Sequence, residues 1–312
     1  MNNWIRIYLS GVFMGAADIV PGVSGGTIAF ILGVYERLIS ALSGVNKTSI
    51  TLLLKADIKG LWRHFDGAFL AVLGLGILSS LALLSGLITH ALEFYPRYLS
   101  SFFLGLILAS AALLAKDLSH WKRHYVLMML AGAVFGAFVA LLSPTNIEAT
   151  PVMVVFSGMI AICAMLLPGI SGSFILLMLG MYGPVLLAVK SLQLDILSLF
   201  ALGAVLGLLT FSKLLKYLMT HFKDVTIAFL IGVMLGSLLK IWPWKVVGQW
   251  VEIDGKTVPE NSEFVWPWMI NDYQMSSDLA YPLCFILLGI LLIYVINNIF
   301  LRNNTNVIHK KL

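Results

Sequence analysis

Charge is what this chain has least of. Only 11% of its 312 residues are charged, where soluble domains use about a quarter, so a soluble core of this size is excluded. Cysteine is almost absent too: Cys163 and Cys284 lie far apart inside apolar runs, with no C-x-x-C or Cys/His spacing. A disulfide framework, a redox pair and a cysteine metal site are thereby excluded. Histidine is scarce; His120 and His124 flank "WKR" at i, i+4, with no third ligand near in sequence. No catalytic residue, metal or cofactor is expected. What remains is 60% hydrophobic, with several runs near or above the roughly 18 apolar residues that suggest a spanning helix. The chain reads as an all-α polytopic membrane protein.

The first twenty residues, with Arg6 and then "IYLSGVFMGAA", look superficially like a secretion signal. They flow without interruption into "DIVPGVSGGTIAF" at 18–30, and that stretch has a counterpart downstream, so the segment is read as mature structure.

Aligning Pro21 with Pro168 lays "PGVSGGTIAFILGVY" over "PGISGSFILLMLGMY". Three further matches keep the order: "AVLGL" at 71–75 and 204–208, Gly105 with Gly232, and Gly132 with Gly289. Such self-similarity predicts two repeats. Repeat one is 1–145, a helical hairpin at 4–42 followed by spans near 67–92, 98–115 and 125–142. Repeat two is 146–312, a hairpin at 151–189 followed by spans near 196–212, 225–241 and 279–301. Five segments per half is an odd number, which predicts an inverted-topology repeat. With the N terminus placed in the cytoplasm, alternate loops put 15 of the 20 basic residues on the cytoplasmic side. Arg97, Lys190, Lys240, Lys245 and Lys256 stay outside. That bias obeys the positive-inside rule and predicts cytoplasmic N and C termini. The outer loop 242–278, rich in Trp, is expected to be a small insertion forming an interfacial belt and cap.

The hairpin turns "PGVSGG" and "PGISGS" carry no Lys, Arg, Glu or aromatic anchor, and the second arm at 27–42 meets Glu36 after only ten or so residues. At about 1.5 Å per residue, its charge-free part covers roughly half of a ~30 Å hydrocarbon core. Two re-entrant hairpins entering from opposite faces are therefore expected.

Irregular backbone at membrane depth survives only inside protein or beside water. Two tips related by an inverted repeat would meet near the midplane, where secondary transporters hold their substrates. Pro21 and Gly22, and Pro168 and Gly169, are the expected helix breaks. Ser24, Gly25, Gly26 and Thr27, with Ser171, Gly172 and Ser173, would offer backbone N–H groups and hydroxyls to an anion at the start of a helix. The bland alternative is that small residues merely let helices turn and pack. Asp18, whose counterpart is Met165, is costly at membrane depth; it reads as a proton- or cation-coupling group, or else as an N-cap or ion-pair partner. Glu36 and Arg37 read as a gating or interfacial pair, with the uncharged Gly183 and Pro184 at the matching positions.

"GAADIVPGVSGGTIAFILGVYERLI" and "AMLLPGISGSFILLMLGMYGPVL" resemble the PopT-type polyprenyl-phosphate transporters, a bacterial and archaeal membrane family first catalogued as a domain of unknown function. The likeness spans essentially the whole chain. It implies a flippase of the bacterial cytoplasmic membrane that returns undecaprenyl phosphate, the carrier lipid of peptidoglycan and other envelope synthesis, from the outer to the cytoplasmic leaflet. It also implies a phosphate facing 24–27 and 171–173. A polyprenyl phosphate lipid is then the partner, with protons or cations as coupling ions; a homo-oligomer is compatible with the sequence, and nucleic acid has no place in it. Two other readings stay open: a secondary transporter or channel for a small soluble anion, and an integral-membrane lipid phosphatase. The phosphatase would need a His or Asp nucleophile with basic partners; no His lies in a tip.

Overall fold

The structure, a computed structural model, describes residues 3–20, 23–116, 118, 121–145, 147–253, 256–270 and 274–300, with backbone alone at 247–253, 256–262 and 299–300. Pro21, Gly22, His120 and the basic residues beyond Phe300 lie outside the described residues.

The first half runs α1 (Asn3–Asp18), α2 (Gly25–Ile31), α3 (Tyr35–Leu42), α4 (Lys47–Leu54), α5 (Ile58–His64), α6 (Gly67–Phe94), α7 (Pro96–Lys116) and α8 (Arg123–Ala140). The second runs α9 (Pro151–Leu166), α10 (Gly172–Met178), α11 (Tyr182–Ser191), α12 (Leu194–His221) and α13 (Lys223–Ser237). An antiparallel hairpin of β1 (Lys245–Ile253) and β2 (Lys256–Phe264) follows, then a π-helical turn Met275–Ala280 that leads into α14 (Tyr281–Phe300). The expected outer loop thus contains a β-hairpin, the only strands among the described residues. Trp242, Trp244, Trp266 and Trp268 gather beside it, with neighbouring ring centroids 5.3–6.1 Å apart.

Among the described residues, five helical segments are long and apolar enough to cross a membrane: α6, α7, α8, α12 and Met275–Asn298. The protein is a multi-pass, all-α membrane protein. The span expected at 225–241 is shorter than predicted: α13 stops at Ser237 after 15 residues, roughly 22 Å of helix. It is also enclosed, with Ala228, Leu230, Ile231, Val233 and Met234 almost fully buried, so protein surrounds most of it.

The second arms of the hairpins differ from expectation as well. Neither 27–42 nor 173–189 is one helix. Each breaks after seven residues, and the two pieces are bent by 119° (α2 to α3) and 110° (α10 to α11). The pivots are Gly33 and Gly180, at φ +69° and +68°, a left-handed conformation that side chains disfavour.

Between α3 and α6 the first half carries α4 and α5, without counterpart in the second. Asn46 and Ser49 form a capping box on α4, and the Asp57 carboxylate accepts from the Gly60 amide at the start of α5. Leu53, Leu54, Ile58 and Trp62 are exposed beside Lys55, Lys59 and Arg63, the pattern of helices lying at a membrane surface.

Packing repeats residue for residue across the halves. α1 lies on α6 as α9 lies on α12, and α7 crosses α14 as α13 crosses α8. A Cβ at Gly105 would strike the Ile286 carbonyl, and one at Gly289 the Phe102 carbonyl. In the other crossing Gly232 meets the Met129 carbonyl and Gly132 the Phe229 carbonyl. On the other helix pair, Gly76 abuts the Tyr8 carbonyl just as Gly203 abuts that of Val155. Tyr8 and Val155 are 147 apart, the offset of the two tips; Gly76 and Gly203 are 127 apart, the offset of Gly105 and Gly232. The "AVLGL" pairing at offset 133 is therefore a chance match in Leu- and Gly-rich helices, six residues out of structural register.

Candidate functional site

The two tips touch. α1 and α9 each end in a break, and the short helices α2 and α10 begin beyond it. The backbone amide of Gly169 donates to Thr27 Oγ1 at 2.7 Å, and Tyr35 donates its phenol hydrogen to the Leu166 carbonyl at 2.7 Å. Ser24 Oγ reaches the Leu167 carbonyl at 3.4 Å, and a Cβ on Gly26 would come within 2.8 Å of the Met165 carbonyl. The start of α2 thus rests against the last carbonyls of α9, a favourable meeting of opposite helix-dipole ends. Of the expected site residues, the structure brings Ser24, Gly26, Thr27 and Gly169 together. Pro168 is buried in the turn beside them.

The first tip has little left to offer an anion in this arrangement. Gly25 donates its amide to Asp18 Oδ1 at 2.6 Å, Gly26 donates to Ser24 Oγ at 3.1 Å, and the amides of Thr27 and Ile28 bond to the Ser24 carbonyl. Ser24 and Thr27 are fully buried. At the opposite end of α2, Arg6 of α1 donates to the Leu32 carbonyl at 3.0 Å. α1 therefore carries a negative charge at the positive end of α2 and a positive charge at its negative end, each favourable for the helix dipole.

The second tip lacks both charges. At offset 147 Asp18 becomes Met165 and Arg6 becomes Met153. The steric relation persists: a Cβ on Gly25 would meet Asp18 Oδ2 at 2.5 Å, and one on Gly172 would meet Met165 Cγ at the same distance. A thioether is only a weak acceptor, so the Gly172 amide receives no carboxylate. Ser171, the N-cap residue of α10, makes no capping bond; its hydroxyl instead pairs with that of Ser173 at 2.8 Å. Ser173 is exposed and Ser171 buried.

Glu36 and Arg37 lie apart from the tips and do not pair with each other. Arg37 forms a two-pronged bridge to Asp66, at 2.6 and 3.0 Å, with its guanidinium 4.3 Å from the centre of the Phe69 ring. Glu36 bridges to Lys223 at the start of α13, at 2.7 Å. α3 is thereby tied to both halves through exposed ion pairs, a modest contribution each.

Sequence reasoning left Lys240 among the outer-side basic residues. In the fold its ammonium lies 4.0 Å from the centre of the Phe174 ring of α10. A small cavity beside it is lined by Gly169, Ile170, Ser171, Phe174, Ser237 and Lys240, next to Gly136 and Val139 of α8. Lys245 donates to the Lys240 carbonyl at 2.6 Å. No local motif signals this, because Lys240 reaches α10 across more than sixty residues of intervening chain. On another face, α7 and α14 with the end of α6 bound an apolar groove of about 800 Å³, lined by Tyr95, Tyr98, Phe102, Tyr281 and Phe285 among others. Arg97, between two of those tyrosines in sequence, pairs with Asp278.

Residues 14–258, which include both tips, match the family model described as VCA0040-like, undecaprenyl phosphate translocase-like. A Polyprenyl-phosphate transporter of Vibrio cholerae is 48% identical over 258 residues, covering 82% of this chain and 84% of that protein. A Polyprenyl-phosphate transporter of Staphylococcus aureus is 35% identical over 261 residues, covering 77% of this chain and 87% of its own length. No solved structure matches. With the family model spanning most of the chain and two relatives above 30% identity, the protein belongs to the undecaprenyl phosphate translocase-like family.

Proposed function

We propose that this protein carries undecaprenyl or a similar polyprenyl phosphate across the bacterial cytoplasmic membrane, from the outer to the cytoplasmic leaflet, and that it is a transporter rather than an enzyme. The observation that carries the reading is the direct hydrogen bond between the two tips, from Gly169 to Thr27. Two broken helices packed on each other supply one polar locus within an otherwise apolar protein, the place where substrate sites of secondary transporters lie. The equivalent helix crossings of the two halves support an inverted-topology repeat, each half a re-entrant hairpin and three spans, and the bias of basic residues supports cytoplasmic termini. The lipid's phosphate would bind at the tips, among Ser24 to Thr27 and Ser171 to Ser173, while its chain stays in the bilayer through a lateral gap. That the relatives are polyprenyl-phosphate transporters makes the lipid phosphate the first choice over a small soluble anion.

Inward movement of a phosphate monoester, with about −1.5 to −2 charges, opposes a negative interior by roughly 2.3 kcal/mol per charge per 100 mV. Coupling to protons or cations offsets this. Asp18 is the coupling group in this scheme: neutralised, it holds the Gly25 amide more weakly and no longer sets a negative charge against the substrate anion at the start of α2. Glu36 and Arg37 gate by holding α3 to Lys223 and Asp66. The test is uptake of labelled polyprenyl phosphate by liposomes containing the full chain, beside Ser24→Ala and Ser171→Ala. Wild-type transport with reduced transport in both variants supports the reading; equal transport by all three removes the tips from the mechanism.

A further inference from the structure

Two lysines meet at the second tip, and no described carboxylate pairs with either. Lys240, in the turn after α13, lays its ammonium on the Phe174 ring at 4.0 Å and lines the cavity that Ser171 and Ser237 share. Lys245, the first residue of β1, is half-buried behind it and donates to its carbonyl at 2.6 Å. Among the described residues neither lysine has an ion-pair partner. Of the acids described in that region, Asp278 is engaged and Glu263 is exposed. Asp278 is held by Arg97 and accepts from the Gln274 amide at 2.7 Å, and Glu263 on β2, opposite Val246 in register, is exposed. Partly buried like charges without a counter-ion are unfavourable, and a ligand anion relieves both burial and repulsion.

We propose that Lys240, backed by Lys245, binds the phosphate monoester of the substrate at the mouth of the second tip, with the hydroxyls of Ser171 and Ser237 beside it. This rests on the transport reading above and adds the charged half of the site. The cavity as it stands, about 10 Å³, holds roughly one water, so the phosphate sits at its mouth. Lys240 reaches it by swinging off the Phe174 ring on its flexible stem, exchanging a cation–π contact for a charge-assisted hydrogen bond. Two ammonium groups match the near-double charge of a phosphate monoester better than the single charge of a carboxylate. On the sidedness read from the basic residues, this mouth faces the outer leaflet, where a substrate to be returned is collected. The first tip, already holding its own carboxylate, cannot play this part in the same conformation.

The experiment measures binding to the purified full chain in detergent at pH 7, through tryptophan fluorescence, since Trp244 is buried and donates to the Asp278 carbonyl. The probes are farnesyl phosphate, inorganic phosphate and farnesol. Wild type is expected to bind farnesyl phosphate, to bind inorganic phosphate at least tenfold more weakly, and to lose binding without the phosphate. Lys240→Gln is expected to weaken farnesyl phosphate binding on the order of tenfold or more, Lys240→Arg to restore most of it, and Lys245→Gln to fall between. Equal binding by wild type and Lys240→Gln overturns the assignment. Liposome transport run in parallel separates the two claims: wild-type transport with an indifferent Lys240→Gln sinks only this site, whereas absent wild-type transport sinks the function as well. Inorganic phosphate binding as tightly as farnesyl phosphate would point to a soluble-anion site and also overturn it.

Discussion

The Asp18 carboxylate accepts the amide of Gly25, seven residues on in the first hairpin, at 2.6 Å. It occupies the position at the start of α2 that a bound anion would otherwise take. One acid thus caps the start of α2, and in the proposed scheme the same group competes with the substrate.

Asp18→Asn keeps an acceptor oxygen for Gly25 and removes the charge. Liposome uptake by this variant should fall on the order of tenfold and lose its dependence on pH, while the melting temperature changes little. Asp18→Ala removes the acceptor as well and should cost about 0.5–2 kcal/mol of stability, as lost helix caps do. Uptake by Asp18→Asn that matches wild type at every pH would end the coupling role.

The helix crossings make a sharper stability test. At Gly105 a methyl group would strike the Ile286 carbonyl, whereas at Gly86, also on a long spanning helix, nothing lies within 4 Å. Gly105→Ala should destabilise by about 1–3 kcal/mol through overpacking. Gly86→Ala should be neutral or stabilising by up to about 1 kcal/mol, since alanine is the better helix former. Thermal unfolding of both in one detergent compares them. Equal melting temperatures would mean that the α7–α14 crossing tolerates separation.

These contacts also show how far the sequence could be read. The tips were legible because Pro-Gly-x-Ser-Gly is rare inside apolar runs, and their offset of 147 holds through Gly25–Asp18 and Gly172–Met165. The spanning helices were legible from hydropathy, since lipid-facing residues such as Leu78, Leu83 and Leu87 remain exposed apolar groups. "AVLGL" misled because Gly and Leu recur in every such helix, and only the Gly76–Tyr8 and Gly203–Val155 contacts set the register at 127. The bends at Gly33 and Gly180 passed unnoticed, as an isolated glycine does not stop a hydrophobic run. The partners of Glu36 and Arg37 could not be found locally: Lys223 lies 187 residues away, and Asp66 is brought close only by the turn before α6.

Lys245 gives a pH signature. Burial, and then the nearby charge of Lys240, lower its ammonium from the usual 10.5 to about 8. An anion bound there favours the charged form and raises that value, so binding takes up a proton above pH 8. Affinity for farnesyl phosphate should therefore be high near pH 7 and decline as pH rises through about 8. On the acid side it should weaken below about pH 6, where the phosphate loses its second charge. Folding responds with the opposite sign. The folded state binds this proton less well than the unfolded chain, so this group's contribution to stability improves as pH rises from about 8 toward 10.5. Lys245→Gln should flatten the alkaline limb of the binding curve, read by fluorescence titration between pH 6 and 9.5. An unchanged limb would assign the titration to another group.

Met165→Asp tests the asymmetry of the tips most directly. Met165 stands against Gly172 as Asp18 stands against Gly25, and its side chain is partly exposed rather than enclosed by protein. The new acid would accept the Gly172 amide, cap α10 and place a negative charge at its positive end, an arrangement that stabilises helices by about 0.3–1 kcal/mol. The melting temperature should hold or rise slightly. Transport should fall by an order of magnitude or more, because the second tip would then carry its own anion and repel a phosphate approaching from the side of Lys240. Met165→Asn, which caps without charge, should retain most of the transport. If both variants transport as wild type does, the difference between Asp18 and Met165 has no part in choosing which tip receives the substrate.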